Sequence, residues 1–171
     1  MPLEDRGGEL SAGTPEPFLK SGFNDAAPVF SPDGRWLAYQ SNESGTNEVY
    51  VRPFPPPAPG QGSGWQVSNN GGTAPRWSRS GRELMYQAGD SIMAAGYTVN
   101  GDAFVADKPR VWIVALGSSA NTPGAWDLAP DGKRVLVVTP VESADATKAE
   151  HHVVFLQNFF DELRRKVPLG K

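Results

Sequence analysis

A single turn, written three times, constrains this chain more than any other feature. Its copies are Phe30-Ser-Pro-Asp-Gly-Arg-Trp-Leu-Ala-Tyr39, Arg76-Trp-Ser-Arg-Ser-Gly-Arg-Glu-Leu-Met-Tyr86 and Asp127-Leu-Ala-Pro-Asp-Gly-Lys-Arg-Val-Leu-Val137. In the first copy Pro32 presets φ, Asp33 can bond its own backbone, and Gly34 tolerates positive φ. Aromatic and apolar strand formers flank the turn, so each copy reads as a hairpin. The turn glycines Gly34, Gly81 and Gly132 recur roughly 47 and then 51 residues apart.

Composition agrees with a strand-rich chain. Glycine (19) and proline (16) are abundant in the 171 residues, and long helical patterns are rare. One domain with a core of its own is the expectation for this length. A net charge of −3 gives no electrostatic case for nucleic acid or an anionic membrane. The absence of cysteine excludes disulfides and thiolate metal sites and is silent on compartment. Residues 1–16 are polar, with no apolar core of a signal peptide, and read as a flexible segment opening within something longer. The longest purely aliphatic run, Val135 to Val138, is far short of a membrane span.

Taken in order, the strand candidates are Pro17–Lys20, then Ala26–Phe30, Arg35–Ser41, Glu48–Arg52 and Trp65–Ser68 in a first cycle. A second cycle follows as Ala74–Ser78, Arg82–Gln87, Ser91–Thr98 and Arg110–Val114, and a third as Ala125–Ala129, Lys133–Thr139 and His152–Gln157. A proline- and glycine-rich loop spans Pro53 to Gly64, and its PxxP spacing at Pro53 and Pro56 reads as an exposed connection. Asn158 to Lys166 reads as a short helix with Asn158 as N-cap and basic residues in its last turn. The period lies at or just beyond the ~40–50 residues of a propeller blade. The expected fold is therefore an all-β β-propeller with three four-stranded blades per chain (17–157), flanked by segment 1–16 and a C-terminal helix and tail (158–171). The last cycle lacks its outer strand and Pro17–Lys20 is left over. Three blades are too few for closure, so the expectation is a homodimer completing a six-bladed ring, each chain lending Pro17–Lys20 to the other, with the C-terminal half of a longer single-chain propeller as the alternative.

The first copy of the turn, continued by Ser41-Asn-Glu-Ser-Gly-Thr-Asn-Glu-Val-Tyr-Val51, resembles the TolB-like, WD-type bacterial propeller repeat. The second copy departs at Arg79 and Ser80, where that family has proline and aspartate, and the third carries Ala129 in place of serine. A narrower resemblance is to the C-terminal propeller region of bacterial receptor-type serine/threonine protein kinases. It is carried by Asn42 to Phe54, by Gly71-Gly-Thr-Ala-Pro-Arg-Trp77 and by Val153 to Lys171. It implies a non-catalytic protein-interaction or sensing module of a larger bacterial signalling protein, taking a protein or peptide partner. The kinase itself is absent: there is no Gly-rich loop, no His-Arg-Asp and no Asp-Phe-Gly. The alternatives are the propeller gating domain of a prolyl-oligopeptidase-like or tricorn-like peptidase, and a structural self-assembling propeller with no ligand. The expected setting is soluble, as a periplasmic or extracytoplasmic portion of a longer protein.

Chemistry within the chain is not expected, nor is a cofactor or a metal. The nucleophile elbow G-x-S-x-G is missing. His151 and His152, the only histidines, are strand neighbours that point to opposite faces and cannot jointly hold one metal or serve one nucleophile. Asp33 and Asp131 sit in the repeated turn and are expected to bond local backbone. Binding is expected on the loops opposite these turns, where connections are longer and more varied. Asn24, Asp25, Asn69, Asn70, Thr73 and Asn121 are the candidate residues at the mouth of the channel.

Overall fold

The structure, a computed structural model, describes residues 3–5, 7–56, 64–79, 82–114, 125–138 and 153–155. They form fourteen strands and no helix. A hairpin of β1 (Leu3–Asp5) and β2 (Leu10–Ala12) stands first, within the segment expected to be flexible. The first large sheet is an antiparallel meander of β3 (Ala26–Phe30), β4 (Trp36–Ser41), β5 (Glu48–Pro53) and β6 (Trp65–Gln66). The second runs β7 (Thr73–Trp77), β8 (Glu83–Ala88), β9 (Ser91–Asn100) and β10 (Ala103–Ala106), with β11 (Arg110–Ile113) also paired to β9. The third is β12 (Trp126–Leu128), β13 (Val135–Val138) and β14 (Val153–Phe155).

The turn builds its hairpins with the same backbone bonds in each copy. The N–H of Ser31 donates to Trp36 O (2.8 Å), that of Ser78 to Glu83 O (3.0 Å) and that of Ala129 to Arg134 O (2.9 Å). Gly34, at φ +69°, lets its N–H close back on Ser31 O at 2.9 Å; Gly132, at +66°, does the same to Ala129 O at 2.9 Å. The first copy adds a side-chain clasp. The buried Ser31 Oγ accepts from the Trp36 N–H (2.9 Å) and donates to Asp33 Oδ1 (2.5 Å), which also accepts from the Arg35 N–H (3.1 Å). Ala129 has no hydroxyl, so the third copy keeps only the aspartate: Asp131 Oδ1 accepts from the Lys133 N–H at 2.9 Å.

Alternation along the strands decides how the sheets stack. On β8 the consecutive residues Leu84, Met85 and Tyr86 are all buried. Successive side chains of a strand point to opposite faces, so both faces of this sheet are covered. Leu84, Tyr86 and Ala95 pack with Trp36, Ala38, Val49 and Val51 of the first sheet. Met85, Ile92 and Ala94 pack with Trp126, Val135 and Val137 of the third. The second sheet is thus the middle layer of three. Phe104 on β10 is the aromatic hub of the first interface, with ring centroids 5.3 Å from Trp36, 6.1 Å from Trp77 and 5.1 Å from Tyr97.

This arrangement corrects the propeller expectation. The sheets are separate and open, and none is closed or curled as blades of a ring would be. The turn chemistry specifies hairpins, whereas ring closure depends on contacts between hairpins far apart in sequence, which the turn does not encode. The resemblance to TolB-like, WD-type propellers and to the kinase-associated region is overturned on the same ground. The homodimer that completes a six-bladed ring goes with it. Pro17–Lys20 forms no strand, and Phe18 instead packs against Phe54 of its own chain, ring centroids 5.7 Å apart. The second cycle also differs in detail. The Asn100-Gly101-Asp102 tip turns straight into β10, a strand not expected there. Ala106 pairs with Tyr97, but Arg110 pairs with Ala94, a one-residue slip, and the Asp107 N–H bonds Gly96 O at 2.8 Å across it. Val141–Glu150, His151, His152 and the 158–166 helix lie outside the described residues. No helix among the described residues is long and apolar enough to cross a membrane.

The side-chain clasp yields a paired expectation. Ser31→Ala leaves the buried Trp36 N–H without the acceptor that Ser31 Oγ supplies and lowers stability by about 1–3 kcal/mol. Ala129→Ser supplies the missing clasp to the third copy and raises stability by about 0.5–1.5 kcal/mol. Urea unfolding of the two variants checks both signs.

Candidate functional site at the convergence of the repeated turns

The two ends of the stack differ in what they gather. At one end the loops are tied to one another. The Asn24 N–H donates to Asn42 Oδ1 (2.8 Å), and the Asp25 carboxylate accepts from the Ser21 hydroxyl. Asn69 and Asn70 are exposed on the loop entering β7, Asn70 at φ +75°. Thr73 opens β7 and its Oγ1 lies 3.5 Å from Gln87 O. Asn121 lies outside the described residues. None of the five described candidates lines either of the clefts found at the other end.

The loop of Asn69 and Asn70 is anchored by a buried acid that the sequence reading did not single out. Glu48, on β5, is only 3% exposed. One of its oxygens accepts from the Ser68 hydroxyl and the other from the Gly71 N–H (2.8 Å). Ser68 Oγ in turn accepts from the Val49 N–H at 2.7 Å. Gly72 completes the anchor, its N–H bonding Asn47 O at 2.8 Å, and a Cβ there would stand 2.3 Å from Ser68 Oγ and 2.7 Å from Ser68 Cβ. Glu48 also reaches Tyr86, whose phenol is pushed up to about 12, by burial first and by the Glu48 charge second.

At the other end the three turns converge on a cleft of about 640 Å³. Each copy contributes the same stretch: Val29, Phe30, Ser31 and Pro32 from the first, Arg76, Trp77 and Arg79 from the second, Asp127, Leu128, Ala129 and Pro130 from the third. Corresponding positions differ sharply in chemistry. Val29, Arg76 and Asp127 share one place in the repeat, and Pro32, Arg79 and Pro130 another. Matching bulges precede two of these stretches, with Ala27 at φ +51° and Ala74 at +49°, and the register slips between Ala26 and Val29 and between Thr73 and Arg76. Such bulges re-aim the residues that follow, here Val29 and Arg76.

Arg76 bridges the second and third sheets. Its Nε lies 3.5 Å from Asp127 Oδ1, its Nη1 donates to Pro75 O (2.8 Å), and its guanidinium lies 5.7 Å from the centroid of the Trp126 ring. Trp77 Nε1 donates to Val29 O (3.1 Å), fixing the wall between the first two sheets. Phe30 is exposed on the rim and meets Phe54 edge-on at 4.8 Å. Arg79 is exposed and makes no ion pair among the described residues. Ser31, the one hydroxyl in the lining, is spent on the turn. The signal that finds this site in sequence is the departure of one copy from the others, with Arg79 where the first and third copies have proline.

Comparison with protein-family models gives no match, and comparison with curated protein sequences finds no relative. The assignment to the propeller part of a bacterial, kinase-associated signalling protein is therefore withdrawn, together with the gating-domain and self-assembling-ring alternatives. Each of them requires a closed ring and its channel, and the sheets here are open. Among the described residues no group of histidine, aspartate or glutamate is arranged to hold a metal ion.

Two outcomes follow at the loop end. Gly72→Ala forces Ser68 off Glu48 and lowers stability by about 1–3 kcal/mol in denaturant unfolding. Tyr86 titrates higher folded than unfolded, so its stabilisation is complete below pH 10 and is lost as pH rises toward about 12. Tyr86→Phe flattens that alkaline loss, as read by unfolding midpoints across the range.

Proposed function

We propose that this chain acts by binding, not by catalysis. Its site is the cleft at the convergent turns, and its ligand is small and combines a carboxylate with an apolar group. The observation that carries the reading is the placement of the residues on which the three copies disagree around one concavity. A repeat built for structure alone has no need to exchange proline for arginine at a wall position. The volume is within the ~300–1,000 Å³ usual for ligand pockets, and the lining is mixed in the usual way, with apolar walls and few polar groups. Trp77, Phe30 and Leu128 supply the apolar walls. Arg79 supplies a guanidinium with no ion pair among the described residues, whose planar fork matches a carboxylate. The non-catalytic part rests on the lining, which pairs no free nucleophile with a base.

Calorimetric titration with N-acetyl-Asp-Phe-amide against N-acetyl-Lys-Phe-amide tests this. The acidic dipeptide binds at least about tenfold more tightly, a difference of ~1.4 kcal/mol. Arg79→Glu abolishes that preference without moving the melting temperature. Equal binding of the two dipeptides, or a preference that survives Arg79→Glu, rejects the site.

A further inference from the structure

A second, smaller concavity lies across the first turn from the cleft. Ser31 and Pro32 face the cleft, while Asp33 and Arg35 line a pocket of about 240 Å³, completed by Arg82, Tyr97, Val99 and Gly101. Arg35 and Arg82 occupy one place in the repeat, directly after the turn glycines Gly34 and Gly81. The stack therefore brings two equivalent guanidiniums to one pocket. Arg35 is oriented by its Nη2, which donates to Gly101 O at 3.1 Å. Its ion pair with Asp102, at 4.0 Å with the aspartate fully exposed, is a screened one. Arg82 is exposed and makes no ion pair among the described residues.

The anionic group is Asp33. Its Oδ1 is consumed by the Ser31 hydroxyl and the Arg35 N–H, and its Oδ2 accepts no hydrogen bond from the described residues. Tyr97 stands among these charges. Its ring is fixed edge-on to Trp77 (5.1 Å) and stacked on Phe104 (5.1 Å). Burial pushes its phenol up, the Asp33 charge pushes further and the Arg82 charge pulls back, so the hydroxyl remains a donor at neutral pH.

We propose that this pocket binds a free α-amino acid in its zwitterionic form. A simple anion would meet the Asp33 charge, and a simple cation would meet two guanidiniums. A zwitterion satisfies both signs: its carboxylate takes Arg82, the remaining N–H groups of Arg35 and the Tyr97 hydroxyl, and its ammonium takes Asp33 Oδ2. Val99 and the Tyr97 ring offer an apolar wall to the side chain. The volume falls below the ~300–1,000 Å³ of ordinary ligand pockets, which suits a ligand of one residue.

The test is calorimetric titration of the full chain, at constant ionic strength, with L-leucine, N-acetyl-L-leucine, L-leucinamide and inorganic phosphate. Leucine binds at the site that Arg82→Gln removes, and each blocked form binds that site at least about tenfold more weakly, since each lacks one of the two charges. Arg82→Gln lowers leucine affinity at least about tenfold, while Lys133→Gln, at the same place in the third copy and lining neither concavity, leaves it unchanged. Four results overturn the proposal: no leucine binding, blocked forms that match leucine at the Arg82 site, phosphate that outcompetes it there, or an affinity untouched by Arg82→Gln. Loss of leucine binding in Arg79→Gln also overturns it, by placing leucine in the larger cleft.

Discussion

The burial of β8 and β9 on both faces is the constraint on which the rest of the molecule depends. Leu84, Met85 and Tyr86 are consecutive, and all are within a few per cent of full burial. Period-two geometry sends them to alternate sides, so a sheet must stand on each side to cover them. Each large side chain withdrawn from water contributes about 1.5–3 kcal/mol, and exposing either face forfeits several at once. Tyr86 and Leu84 need the first sheet, with Trp36, Val49 and Val51; Met85, Ile92 and Ala94 need Trp126, Val135 and Val137 of the third. The middle sheet holds the outer two at fixed distance, and that spacing creates the concavities at the turn end. Phe104 strengthens one side of this arrangement, since it reaches rings of both the first and second sheets.

Much of the local structure was legible in the residues because its causes are local. Ser31 through Gly34 carries its own hydrogen-bonding partners, so the hairpin of β3 and β4 could be read directly, and β7–β8 and β12–β13 by analogy. The same reasoning placed Asp33 and Asp131 in the turns, where their carboxylates accept backbone N–H groups. What escaped was non-local. Whether three hairpins close into a ring or remain open layers depends on packing between residues far apart, such as Leu84 with Val51, and no turn records it. Pro17–Lys20 shows the same limit: its apolar character suits a strand, yet Phe18 finds Phe54 by ring contact and forms no ladder. β10 was missed for a different reason. The slip beyond Asp107 splits one edge into two short strands, and neither alone presents a long alternating run.

The candidate cleft is harder to read in the sequence than the hairpins, because loop length and variety draw attention to Asn24, Asp25, Asn69, Asn70 and Thr73. The structure shows that much of that end is engaged in holding itself together. Glu48 and Ser68 tie down the loop of Asn69 and Asn70, and Asn42 receives Asn24. At the opposite end the turns are short and similar, which made them look purely structural. Their differences become informative only when the copies are aligned by position, because Val29, Arg76 and Asp127 are far apart in sequence and meet through the stacking of sheets. A turn can serve both purposes. The bonds of Ser31 and Asp33 fix the backbone, and the fixed backbone then presents one side to each concavity.

Two arginines enter the larger cleft, and their commitments decide which one is available to a ligand. Arg76 already has an ion pair with Asp127, a bond to Pro75 O and the face of Trp126. Withdrawing it would leave Asp127 without its cation and weaken the tie between the second and third sheets. A surface pair is worth only about 0–1 kcal/mol, but a cation over a tryptophan adds about 0.5–1 kcal/mol at an exposed site, and a ligand competing for Arg76 must offset both. Arg79 gives up no ion pair among the described residues. The same comparison explains the third copy's contribution. Its turn lacks the serine clasp, so the wall formed by Asp127 to Pro130 leans on backbone bonds, on the Asp131 carboxylate and on Arg76 for its position. Arg76 therefore serves the shape of the cleft, and Arg79 is left to supply its charge.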